Sequence, residues 1–295
     1  MIRMANSICP VLMAKLRYRK YFGRKMNLKN PQDINEKISW LALFSDTSEW
    51  TRLADKYAVR EYVKECGLEN ILVKLYGKWD SAKEIEWENL PNSFVLKTNN
   101  GSGTVLVVSD KSRFEKDYVL EIMDKWLHKK IAAETTEFHY KDIIPCIIAE
   151  EYLEPSETEK NYSSSIIDYK VWCFNGIVDS IWTCCNRGND SCEVALFDKE
   201  WNYHPEASIF NEHYQEQKHL TPKPACLHEL IEIAEKLSKP FPVVRVDLYV
   251  IKNHVYFGEM TFTSLGGTMN FYTQEKLLEM GEKIDLSGVK LKRNK

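Results

Sequence analysis

At 295 residues the chain can bury a large core, as one two-lobed domain or as two domains. An apolar fraction of 44% and a charged fraction of 28% are ordinary for a soluble globular protein, and no apolar stretch approaches the roughly 18 residues of a membrane span. The net charge of −3 is unevenly spread: residues 1–32 hold eight basic residues and no acid, which leaves −11 on the remainder and argues against a nucleic-acid partner.

Met1–Ala14 has one early Arg and an apolar run broken by Pro10, with no small-residue cleavage site, so the expectation is a cytoplasmic protein without a signal peptide. Residues 15–29 interleave Lys and Arg with Leu16, Tyr18, Tyr21 and Phe22. Two readings stay open there: an amphipathic helix on anionic lipid at the inner membrane face, or a solvated helix docked on the body. Helices are expected at Asn35–Phe44 and Thr51–Cys66, with Asp55-Lys56 as a helix start or an exposed face. Strands at 93–98 and 104–109 flank Asn99-Asn-Gly-Ser-Gly103, and a helix covers 117–129. Another apolar strand, Cys146–Leu153, ends in acids. The pair 167–174 and 177–185 reads as a hairpin across Asn175-Gly176. Residues 198–226 read as irregular, either a packed surface loop or a pocket lined by Trp201, Tyr203, His204 and Tyr214. A helix at 227–237, a hairpin, the Gly266-Gly267 loop and a helix at 274–280 complete an α+β chain of two lobes with antiparallel sheets.

Eight cysteines form no C-x-x-C, and adjacent Cys184 and Cys185 point to opposite faces of one strand, so they read as reduced core thiols. Seven histidines show no metal-ligand spacing, and no zinc site is expected.

The last hairpin carries the strongest chemical signal. Val244, Val246, Leu248 and Val250 alternate with Arg245, Asp247 and Tyr249, the period of a strand buried on one face. Asp247 and Glu259 share residue parity. An odd loop, Ile251-Lys252-Asn253 with Asn253 left-handed, puts both carboxylates on one face beside Arg245, whereas a two-residue loop puts them on opposite faces. Two close carboxylates call for a cation, and hard oxygens select Mg²⁺, commonly shared with substrate phosphates. The glycines at 101 and 103 let backbone N–H groups turn toward a polyanion, Ser102 adds a hydroxyl, and Lys97 is a point charge suited to phosphate. No Walker or dinucleotide fingerprint is present. The strand end at Glu150-Glu151-Tyr152-Leu153 offers backbone groups to the edge of a base. Asp168, Lys170 and Arg187 add alternating charge that surface ion pairs would explain equally well.

In this order the stretches Pro31–Lys37, Asp55–Val63, Phe94–Lys97, Gly101–Gly103, Asp168–Lys170, Arg245–Tyr249 and Phe257–Phe262 resemble the TupA-like ATP-grasp family of cell-surface polysaccharide biosynthesis. The resemblance spans about residues 30 to 285. It implies a two-lobed ATP-grasp fold over 51–290, split into a small lobe (51–149) and a large lobe (150–290), preceded by a basic helical extension at 1–50. It implies ATP and Mg²⁺ as cofactors. Lys97 would hold the α/β-phosphates under a lid of Gly101, Ser102 and Gly103. Glu150 and the backbone of Glu151, Tyr152 and Leu153 would meet adenine, and Asp168 the ribose. Asp247 and Glu259, with Thr261, would form the metal set, and Arg245, Lys170 and Arg187 would neutralise the transferring phosphoryl group and its acceptor carboxylate. Thr261 stands where many ATP-grasp enzymes have Asn, and Asn100 where the family often has His. The implied activity is ligation of a carboxylate, on a glycan or a small molecule, to an amine such as an amino acid, through an acylphosphate. An ATP-grasp kinase and a catalytically silent nucleotide-binding scaffold are the alternatives. Glycosyl transfer lacks a D-x-D motif.

Overall fold

The computed structural model describes residues 9–101, 103–129, 137–188 and 190–292. In chain order these form α1 (Pro10–Phe22), α2 (Ile34–Phe44), α3 (Ser48–Ala54), α4 (Val59–Glu65), β1 (Leu75–Trp79), β2 (Phe94–Thr98), β3 (Val105–Val108) and α5 (Lys116–Leu127). Next come β4 (Ile147–Glu151), α6 (Glu157–Lys160), β5 (Asp168–Phe174), β6 (Ile177–Cys185), β7 (Cys192–Asp198) and β8 (Tyr214–Glu216). The chain continues through α7 (Leu227–Ser238), β9 (Val243–Ile251), β10 (His254–Thr261) and α8 (Gln274–Glu282). Two compact units result, one of residues 48–153 and the other of residues 1–47 with 154–295.

The smaller unit is a four-stranded antiparallel sheet, β1-β4-β2-β3. Alternation along β2 sends Phe94 and Leu96 into a core with Val119, Met123 and Leu127 of α5, and leaves Val95 and Lys97 on the other face. The expected 51–66 helix is two helices. The Asp55 carboxylate accepts from the backbone N–H of Tyr57 at 2.8 Å and of Ala58 at 3.1 Å, which ends one helix and restarts the next.

The larger unit is a six-stranded sheet, β10-β9-β5-β6-β7-β8, antiparallel except where β8 runs parallel to β7. Helix α7 is amphipathic, burying Leu230, Ile233, Ala234 and Leu237, and it packs on β5, β6 and β9. The N-terminal segment belongs to this unit. Asp33 caps α2 by accepting from Glu36 N–H at 2.9 Å, and Glu36 accepts in turn from Asn27 and Gln32 N–H. Asn35 accepts from Met269 N–H at 2.9 Å, and Lys37 donates to the Ile284 carbonyl at 2.7 Å. The Pro31–Lys37 stretch is thus a clasp between the N-terminal helices and the C-terminal segment. Within 198–226, Trp201 stacks on Phe197 at 4.4 Å and donates to the Thr221 carbonyl, so that side chain is packed, whereas His204 lines a cleft with Asp198, Glu206 and Lys276.

The hairpin turn differs from expectation. It is the two-residue Lys252-Asn253, both left-handed (φ 53° and 62°), the geometry that suits two twisted strands. Parity is restored by a bulge: Phe257 pairs with Leu248 and Glu259 with Asp247, leaving Gly258 unpaired between them. A Cβ on Gly258 would lie 2.8 Å from the Asp247 carbonyl oxygen and 3.2 Å from the Tyr249 ring. Gly258→Ala is expected to cost about 1–3 kcal/mol, read as a lower urea midpoint. Gly188→Ala, whose Cβ would meet only the Ser191 carbonyl oxygen at 3.7 Å, should leave the midpoint in place.

Candidate active site

Cross-strand register assembles the charged face of the larger unit. Asp168 pairs with Tyr249, Lys170 with Asp247 and Trp172 with Arg245, while Glu259 and Thr261 pair with Asp247 and Arg245. These side chains stand on the face opposite α7. They form a chain of alternating sign: Arg187 donates to Asp168 at 3.2 Å, and Lys170 donates to Asp168 and, at 2.6 Å, to Asp247. Arg245 grips Asp247 through two bonds of 2.7 Å, donates to Ser264 Oγ at 2.8 Å, and lies 3.9 Å from Glu259. Thr261 Oγ1 lies 3.3 Å from both Arg245 and Glu259. Asp247 and Arg245 are buried and Lys170 is half-buried, whereas the side chains at the two ends stay open, Arg187 at 52% exposure and Glu259 at 39%.

Burial and charge compete along this chain. Burial pushes the Asp168 carboxyl up despite Lys170 and Arg187. Burial acts the same way on Asp247, but Arg245 and Lys170 outweigh it and hold that group low. Lys170 is pulled down by burial and lifted further by Asp168 and Asp247, so it stays charged. Three cations alternate with three carboxylates, so the set is neutral. Asp168 Oδ1 is buried without a partner among the described residues.

Hard oxygens on Asp247 and on the partly open Glu259, at directly paired positions, are the donor type magnesium takes. The donor chemistry fits that ion at Glu259, whereas both Asp247 oxygens are held by Arg245 and Lys170 and would have to give up one of those bonds to reach it. Among the described residues no group of three His, Cys, Asp or Glu gathers as a ready cage, so oxygens from a substrate or water would complete the shell.

The smaller unit carries the other residues singled out in the sequence. Lys97 ion-pairs with Glu150 on the face away from α5, and Arg60 donates to the same carboxylate at 3.2 Å and to the Val73 carbonyl at 2.9 Å. Glu151 N–H is taken by the Lys74 carbonyl at 2.9 Å, while Tyr152 is half-buried and Leu153 buried. The glycine loop is pinned at its base: Asn99 bonds both N–H and side chain to the 144–146 backbone, and Thr98 Oγ1 donates to Thr104 Oγ1 at 2.7 Å. Lys56 donates to the Gly101 carbonyl at 2.6 Å. Gly103 has φ +71°, a conformation that favours glycine, and Asn100 Oδ1 is buried without a partner among the described residues. Ser102 lies outside the described residues.

Sequence reasoning missed Arg60, Lys56 and the valines 105 and 107, which β3 leaves about half exposed on the Lys97 face. Arg60 and Lys56 sit inside the Asp55–Val63 stretch, which was read as a helical pattern. The run Val105–Val108, apolar at every position, hides which valines are exposed. On the larger unit, Cys184 and Cys192 border Lys170. Hydrogen bonding to Cys184, aided by Arg187 and His213, draws the Cys192 thiol down to about 7.

The family model for TupA-like ATP-grasp proteins matches residues 36–285, and the chain belongs to that family. No curated protein matches it. Among solved structures, D-alanine–D-alanine ligase from Bacillus anthracis aligns with TM-score 0.46 and 19% identity over 82% of this chain and 70% of that one. D-alanyl-alanine synthetase A from Vibrio cholerae aligns with TM-score 0.46 and 13% identity over 84% and 68%. Biotin carboxylase from Campylobacter jejuni aligns with TM-score 0.44 and 15% identity over 84% of this chain and 51% of its own. Similarity at this level concerns the chain trace alone.

Lys170→Met removes the shared cation of two buried carboxylates, leaving Asp168 only Arg187 and Asp247 only Arg245, and is expected to cost about 1–3 kcal/mol in a denaturant titration, with part recovered in Asp168→Asn/Lys170→Met. Elsewhere on this unit, His204 contacts Glu206 at 2.9 Å and Asp198 at 3.3 Å, and the bond to Glu206 above all raises its pKa. A raised histidine stabilises fully below its unfolded value of about 6.5 and loses that contribution as pH rises through the folded value. His204→Gln should therefore lower the unfolding midpoint more at about pH 6 than at about pH 9. The ring is 40% exposed, so the difference is small.

Proposed function

We propose that this protein is an ATP- and Mg²⁺-dependent carboxylate–amine ligase that acts through an acylphosphate on a cell-surface polysaccharide or its precursor. The observation that carries the reading is the alternating charge chain. Its buried middle fixes Asp247, and its open ends present one cation and one carboxylate to a ligand. A neutral cluster cannot by itself offset a polyphosphate, so the added positive charge falls to the metal and to Lys97. Magnesium, when held by Asp247 and Glu259 beside Thr261, supplies charge neutralisation on phosphate oxygens.

In this reading Lys97 exchanges Glu150 for phosphate, and the loop at Gly101–Gly103 turns its backbone N–H groups to the same phosphates. Glu150 and the strand end at 151–153 face the base, with Val105 and Val107 as its apolar platform, and Asp168 meets the ribose. Arg245 and Lys170 orient Asp247, and Arg187 receives the acceptor carboxylate. One carboxylate oxygen attacks the γ-phosphorus and the bond to ADP breaks. The amine then attacks the acyl carbon, phosphate leaves, and the amine proton passes to solvent. Positioning and charge carry such chemistry without a covalent side-chain nucleophile. A carboxylate-bearing glycan and an amino acid are the substrates this reading favours, and a cytoplasmic enzyme has access to ATP.

Lys97→Ala and Glu259→Gln are each expected to lower ATP turnover about 10²–10³-fold, Glu259→Gln with the unfolding midpoint retained and Lys97→Ala with a modestly lower one, because the buried Glu150 then keeps only Arg60. With ATP, Mg²⁺, uronic-acid glycans and amino acids, hydroxylamine should trap a hydroxamate from the carboxylate substrate. ADP release with phosphate found on a hydroxyl would identify a kinase instead.

A further inference from the structure

Helix α1 is two-faced, and only one face is used by the fold. Ala14 and Tyr18 are buried with Met26 and Leu28, backed by Val11, Phe22, Trp40, Leu43 and Phe44. Tyr18 donates to Asp33, and Arg17 reaches the Leu265 carbonyl at 3.4 Å. On the opposite side, positions 12, 15, 16, 19 and 20 follow the three- and four-residue spacing of one helix face. Leu12 and Leu16 stand 55% and 50% exposed there, flanked by exposed Lys15, Arg19 and Lys20. None of these three cations meets a carboxylate among the described residues, and residues 1–32 contain no acid at all. A solvated helix face ordinarily mixes signs and does not set two neighbouring leucines in water between cations.

We infer that this outer face of α1 docks on an anionic lipid bilayer. Leucines enter the acyl boundary while Lys15, Arg19 and Lys20 meet lipid phosphates, the division of labour of interfacial helices. The occupant follows from charge and shape together. A nucleic acid would use the cations and leave the leucines wet, and an apolar protein groove would leave the cations unmatched. Among the described residues no helix is long and apolar enough to cross a membrane, so the contact is peripheral. The inner face of the same helix touches the loop after β10 through Arg17, and a Cβ on Gly266 would fall 2.8 Å from that guanidinium. Docking therefore occurs close to the loop that follows Glu259 and Thr261, and it leaves the fold untouched.

The test is flotation of the full-length protein with phosphatidylcholine vesicles, with and without about 30% phosphatidylglycerol, at about 0.1 M salt. Binding is expected only with the anionic lipid. Leu12→Ser/Leu16→Ser should lower it about tenfold, and Lys15→Glu/Arg19→Glu/Lys20→Glu about a hundredfold or more. Circular dichroism melts should match the parent, since all five side chains point outward. Equal binding to neutral vesicles, no binding to either, or anionic binding undiminished in both variants would overturn the inference. Tighter binding of a DNA duplex at the same salt, lost in the charge variant alone, would overturn it as well.

Discussion

The larger unit is organised around one interaction, the two-bond grip of Arg245 on Asp247 with Lys170 closing the other side. Taking these charges out of water costs several kcal/mol each before any attraction is counted. They are tolerable only because each finds partners of opposite sign, with Ser264 and Thr261 taking remaining donors. That requirement propagates outward. Trp172 must lie beneath the guanidinium, 5.9 Å away, and its indole N–H is met by the Tyr272 hydroxyl at 3.0 Å. The stretch carrying Tyr272 is held in turn by the Asn35 bond to Met269. A polar contact in the middle of the sheet thus sets where the N-terminal helices and the C-terminal loop lie.

The smaller unit solves a different problem, holding a glycine-rich turn at a defined place. Glycines at 101 and 103 give the backbone freedom, and Asn99, Thr98 and Lys56 take it away at the base. A turn anchored at its root can present N–H groups at a lower entropy cost than a loose loop.

Much of this was legible in residue order. Alternation in β9 and the Asn175-Gly176 turn between β5 and β6 announced the central strands, although the expectation of burial on one face was wrong: all three are buried along nearly their whole length, because the charged face is itself enclosed. Residues 168 and 170 were legible as one pair and 245 and 247 as another, each by alternation along its strand, and only the family resemblance joined them; the register that sets all four on one face comes from the folded sheet. What was not legible came from partners distant in sequence. Strand β1, with a glycine in its middle, and the three-residue β8 draw their pairing from β4 and β7 and carry no strong pattern of their own. Arg60 looked like a helix-surface residue, and only the folded chain shows it beside Glu150. Asp55, read as a helix start or an exposed face, proved to divide two helices. The turn at Lys252-Asn253 was misjudged because a bulge five residues away leaves no hydrophobic signature.

That bulge holds one residue outside the ladder, and what matters is that Gly258 stays out of it. An in-frame deletion of the Gly258 codon would leave Glu259 directly after Phe257 and still opposite Asp247, so the kink would go and the charged face would survive. Were Gly258 instead drawn into the ladder, Glu259 would fall opposite Val246 and turn to the greasy side beneath α7, with Met260 out among the charges. The odd loop and the bulged strand are two spellings of one arithmetic rule.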